Sequence, residues 1–174
     1  FTEPRYLRSM LSTVALSALV TLTTLVISAI AGVFLARQEF AGRQVLTAML
    51  TLPLAFPGVV IGFMVIMLGG RQGLIPLATE LLVGERLVFA YSMVGLFVGY
   101  IYFSIPRTIL TVMAAAEKLD PQLVEAARSL GASHWRILRD VLIPGLQPAL
   151  LAAGAICFAT AMGAFGTAFT LATR

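Results

Sequence analysis

The amino-acid sequence predicts an all-α protein, a polytopic bundle of transmembrane helices, and three observations predict it. Of its 174 residues, 59% are hydrophobic and only 11% are charged, whereas soluble domains carry roughly 25% charged residues. Those few charges gather into short clusters around long neutral runs: 28 uncharged residues from Arg8 to Arg37, 27 from Arg43 to Arg71, 20 from Arg86 to Arg107 and 33 from Asp140 to Arg174. A spanning helix needs about 20 apolar residues, so about four spans follow. Helices are expected because, inside lipid, every backbone N–H and C=O must be paired within its own segment.

The first span, about 10–36, is charge-free and rich in Ser and Thr, residues that suit packing between helices better than contact with lipid alone. A tight turn at 38–43 makes spans one and two antiparallel neighbours. Span two, about 44–69, carries Pro53 and Pro57 followed by Gly58 and Gly62. Each proline removes a backbone donor, so this helix is expected to be kinked or discontinuous near its middle. Broken helices in transporters often line the solute route; the plainer reading is a bent packing helix. Pro53, Pro57 and Gly58 are accordingly candidate pore residues.

Residues 71–86 are amphipathic and too short to span, which predicts a helix at the interface or beside the pore. Span three, about 87–113, holds Gly95 and Gly99, spaced for close helix approach, with Pro106 and Arg107 near its end. Span four, about 145–173, is long and rich in small residues, Gly163 among them; Gly163 and Thr167 complete the candidate pore lining. The lone cysteine, Cys157, excludes an intrachain disulfide and a thiolate metal cluster, and no cofactor or metal site is expected. A net charge of +4, spread over loops, is not the concentrated basic face that nucleic acid requires.

Orientation follows from the Lys and Arg count. The loops before spans two and four share one side and hold Arg37, Arg43, Arg107, Lys118, Arg128, Arg136 and Arg139, seven in all, against five opposite. The positive-inside rule therefore places the loop 117–144 in the cytoplasm and both termini outside. A chain beginning with Phe1 in an external loop is expected to lack spans at one end or both.

That loop is the only long polar stretch. Asp120 is a good N-cap and Pro121 a good first helical residue, so a helix is expected through Leu130. Gly131 supplies the left-handed residue that ends it, and Ser133 can cap a second helix from His134 to Pro144. The first helix shows an apolar side of Leu123, Val124, Ala127 and Leu130. Facing the cytosol, such a side either docks a partner or packs beneath the chain's own spans.

The run Glu125-Ala126-Ala127, then three residues, Gly131, nine residues and Val141-Leu142-Ile143-Pro144 resembles the EAA loop of type I ATP-binding-cassette importer permeases. Their pattern ends in Ile-x-Leu-Pro, so this chain departs only at Val141 and Ile143, both still apolar. The span pattern is similar to the spermidine/putrescine, aminophosphonate, thiamine and ferric iron permeases. The resemblance implies a bundle of the type I importer permease kind, with about four spans present of a five- or six-span subunit. It further implies a multi-pass protein of the bacterial inner membrane whose loop is a coupling helix. Glu125, Ala126, Ala127, Leu130, Gly131 and Pro144 would then dock on cytoplasmic ATP-binding subunits. A second permease subunit, identical or not, would complete the pore, and an extracytoplasmic solute-binding protein would set most of the specificity.

Other classes fit less well. The chain has one lysine, Lys118, set between Glu117 and Leu119, so it has no phosphate-binding loop, and ATP hydrolysis belongs to another polypeptide. A secondary carrier or channel energised without an ATPase is the main alternative. Carriers usually place carboxylates or histidines inside the membrane, and these spans hold only Arg107. A membrane enzyme would need converging catalytic groups, and the sole histidine, His134, lies in the loop with Trp135, a residue suited to the interface or to a partner groove.

Overall fold

The computed structural model describes residues 4–163. Among them every regular element is helical, in the order α1 (Pro4–Arg37), α2 (Arg43–Thr51), a 3-10 turn (Leu52–Ala55), α3 (Gly58–Gly69), α4 (Leu74–Val83), α5 (Met93–Glu117), α6 (Pro121–Ser129), α7 (His134–Ile137), a π turn (Leu138–Leu142) and α8 (Ile143–Gly163). Four segments are long and apolar enough to cross a membrane: Met10–Arg37, Gly58–Val83, Met93–Glu117 and His134–Gly163.

α1 packs along α5, and α8 lies against both. The contact face of α1 is a row of hydroxyl residues, Ser17, Thr21, Thr24 and Ser28, all buried. Their spacing of four, three and four residues keeps them on one side of a 3.6-residue helix. Small side chains let the backbones approach: Ser28 Oγ donates to the Ile105 carbonyl of α5 at 3.3 Å, and a Cβ built on Gly32 would lie 2.9 Å from Val112 Cβ. Further along, Val20, Tyr100, Cys157 and Ala161 form the apolar centre of the three-helix contact.

The second apolar run is broken where its prolines stand. Pro57 forces Phe56 out of the α region, because its ring crowds the preceding residue; Phe56 is extended, with φ −93° and ψ 130°, and α3 starts afresh at Gly58. Arg71, which bounds the run by charge, lies in a short turn between α3 and α4, so the segment Gly58–Val83 takes in both helices. α4 is the amphipathic stretch, ended by Gly84 at φ 79° and an Arg86–Glu80 ion pair of 2.8 Å.

α5 starts at Met93, six residues after the apolar run begins at Leu87. The intervening chain folds back on α3: the amides of Phe89 and Ala90 both donate to the Gly69 carbonyl, at 3.0 and 3.1 Å. Ser92 then caps α5 by accepting from the Val94 amide at 3.2 Å. Gly95 is needed for this fold-back, since a Cβ there would collide with the Ala90 carbonyl. At the opposite end, Arg43 of α2 is ion-paired with Glu117 of α5. That end of the bundle also carries the α1–α2 turn and the loop between α5 and α8.

Candidate functional site

The loop is built as its residues dictate. Asp120 Oδ1 accepts from the Gln122 amide at 2.9 Å, and Pro121 occupies the first helical position. At the far end, Gly131 N–H donates to the Arg128 carbonyl at 2.9 Å and Ala132 N–H to the Ala127 carbonyl at 3.0 Å. This pair of bonds is a Schellman motif, which requires a left-handed residue just past the helix; Gly131 supplies it at φ 77°. Ser133 Oγ accepts from the Arg136 amide at 3.4 Å and starts α7.

The second loop helix does not stop at Pro144. α7 runs through the π turn directly into α8, and the whole segment His134–Gly163 is one apolar helix. The reason is local. Pro144 has no N–H to offer the Asp140 carbonyl, and Ile143 N–H bonds five residues back, to Leu138 O. The corner at Gly131 is therefore joined to a membrane-length helix without an intervening flexible link.

The six loop residues singled out in the sequence fall into two groups. Glu125, Ala126, Ala127, Leu130 and Gly131 lie together on α6 and its cap; Pro144 stands apart, in the first turn of α8. On α6 the apolar side is divided. Val124 and Ala127 are half-buried toward the bundle, whereas Leu123 is 54% exposed and Leu130 89%. Ala126 and Glu125 are exposed beside them, and Trp135, 69% exposed, extends the patch onto α7. Packing beneath the chain's own spans thus accounts for only half of the stripe.

Behind α6 lies a cleft of about 400 Å³ lined by Arg37, Val124, Glu125, Arg128, His134 and Ile137, among others. Arg37 enters it from the end of α1 with Nε and Nη2 buried and without a hydrogen-bond partner among the described residues. Its contribution is not apparent from the loop's own sequence. The usable signal was topological, since a turn at 38–43 and the loop must share an end of an antiparallel bundle.

Of the candidate pore residues, Pro53 is half-buried in the 3-10 turn, Pro57 is exposed and caps α3, and Gly58 is half-buried. Gly163 is the last residue of α8, and a Cβ built on it meets nothing within 4 Å among the described residues; Thr167 lies outside them. The Pro53–Gly58 break and the end of α8 belong to elements that pack on α5 and make no extended contact with each other.

The chain is 30% identical over 179 residues to the molybdenum transport system permease protein ModB of Escherichia coli K12, covering 99% of this chain and 74% of that protein. It is 35% identical over 138 residues to the sulfate transport system permease protein CysT of the same organism, covering 79% of this chain and 49% of that one. A probable sulfate transport system permease protein cysT of Chlorella vulgaris is 34% identical over 166 residues, or 95% and 61% of the two chains. The chain thus spans about half to three quarters of these relatives. Residues 28–173 match the family described as binding-protein-dependent transport system inner membrane component. By that match and these relatives, the chain belongs to the permease family of ATP-binding-cassette importers.

Proposed function

We propose that this permease lies in the bacterial inner membrane with the loop 117–144 in the cytoplasm, where α6 docks on a separate ATP-hydrolysing subunit. The observation that carries the reading is the solvent-facing patch of Leu123, Ala126, Leu130 and Trp135, held at a glycine corner continuous with α8. Apolar side chains left in water favour a partner surface. Glu125, Ala126 and Leu130 form the docking face with the half-buried Ala127 at its edge, Gly131 holds its angle, and Pro144 sets the π turn that links it to α8. A rigid connection of this kind lets closure of the ATPase move the spans. A second permease subunit completes the pore, Pro53, Pro57, Gly58, Gly163 and Thr167 contribute to its lining, and an external solute-binding protein delivers the cargo.

The names of the relatives, molybdenum and sulfate permeases, support a tetrahedral oxyanion as solute. The test is co-purification of the full transporter from detergent. Wild type retains the ATPase, and a Leu123→Asp, Leu130→Asp double variant inserts normally but loses it. Retention of the ATPase by the double variant, or mapping of the loop to the outer face, sinks the reading.

A further inference from the structure

Arg107 is the one cation inside the apolar body of α5, ten residues and about 15 Å from its Glu117 end. The ion pairs among the described residues are Arg43–Glu117, Arg86–Glu80 and Arg139–Asp140, and none includes it. An unpaired guanidinium within a span is costly unless it faces a polar or water-filled space. The cavity beside Arg107 is lined by hydroxyls and by apolar side chains, Phe103, Ala153, Ile156 and Cys157, and by no carboxylate. Its hydroxyls are those of Ser104, Thr108 and Thr111 of α5 and Thr160 of α8, and its volume of about 20 Å³ is room for a single water. The hydroxyls of Thr108, Thr111 and Thr160 donate to carbonyls of their own helices, whereas the buried Ser104 Oγ has no partner among the described residues.

From this point a stripe runs to the loop. Arg107, Thr111, Ala114 and Lys118 follow at spacings of four, three and four residues, share one face of the helix, and are all exposed. A cation stands at each end, with no acid on the stripe.

Resting on the permease reading above, we propose that this stripe lines the solute path and that Arg107 binds the oxyanion as it crosses. A guanidinium engages two oxygens of a tetrahedral anion at once. The 20 Å³ cavity is too small for the anion itself, so the solute rests on the open side of the stripe, with a water behind it bridging to Ser104.

The test uses the complete transporter in liposomes, with its ATPase and binding protein and with radiolabelled sulfate and molybdate as probes. Arg107→Gln lowers uptake of both by about tenfold or more, while the subunits co-purify in wild-type ratio. Arg107→Lys keeps the charge but loses the bidentate fork, and retains more uptake than the glutamine variant. Unchanged uptake by Arg107→Gln overturns the proposal. So does a loss confined to vesicles containing anionic lipid, which makes Arg107 a headgroup anchor, and so does dissociation of the permease pair, which makes it an interface residue. Should Arg107→Gln fail to insert, Thr111→Cys decides: an anionic thiosulfonate labels it faster than a cationic one, and equal or absent labelling refutes the stripe. A wild-type complex that couples ATP hydrolysis to the binding protein yet carries neither anion overturns the oxyanion assignment alone. A complex with no ATPase bound overturns the permease reading beneath it.

Discussion

At Gly131 a Cβ would meet nothing within 4 Å, so any cost of substitution comes from the backbone alone. An L-residue held at φ 77° loses about 1–2 kcal/mol, and a β-branched one more. Gly131→Val is therefore expected to abolish coupled uptake with normal insertion, whereas Gly131→Asn, which tolerates the left-handed region, retains most of it; full uptake by the valine variant contradicts the role given to this corner. Gly32 poses the opposite case, helical backbone with no room. Its added Cβ would sit 2.9 Å from Val112 Cβ and 3.0 Å from the Ile109 carbonyl, neither the end of a flexible chain, whereas at Gly154 the neighbour is the tip of Leu25 at 3.1 Å. Gly32→Ala should cost about 1–3 kcal/mol and Gly154→Ala less, measured as thermal stability in detergent.

Two elements are shaped by prolines acting differently. Pro57 breaks α2 from α3 by excluding Phe56 from helical geometry. Pro57→Ala is expected to let the helix propagate through 56–58, seen as slowed amide exchange there, and unchanged exchange would mean that packing on α5 imposes the break. Pro144 instead breaks nothing; it offers no N–H to the Asp140 carbonyl, and the helix passes it through a π turn. At Pro57 the crowding of Phe56 decides and at Pro144 the missing N–H, and the difference lies in what surrounds each ring. The Pro57 segment is largely exposed, while α7, the π turn and α8 are anchored by buried Ile137 and Leu146.

For the molecule as a whole, α5 is the common neighbour. It packs against α1, α2, α3 and α8, and its Glu117 end is tied to α2 by Arg43. That pair is partly exposed, at 27% and 44% for the two side chains, and exposed pairs contribute about 0–1 kcal/mol. Glu117→Gln should therefore shift the melting temperature by no more than about 2–4 °C; a larger drop would show that the pair, not the hydroxyl seam of α1, holds the loop end together. Helical closure there matters because Arg37, the cleft and α6 share that end.

Much of this was legible in the residue order because its causes are local. Neutral runs between charges report membrane-length helices, Asp120-Pro121 and Gly131 report the ends of α6, and the spacing from Glu125 to Pro144 reports the family; each depends on neighbours within a turn or two. Other features required the packed chain. The late start of α5 rests on Phe89 and Ala90 reaching the Gly69 carbonyl, and Gly95, spaced as if for a neighbouring helix, serves that fold-back instead. The division of the α6 stripe and the entry of Arg37 into the cleft depend on where α1 ends beneath the loop. Sequence periodicity determines which residues share a face, but only tertiary packing decides what that face meets, because burial is a property of the surfaces brought together and not of the helix that carries them.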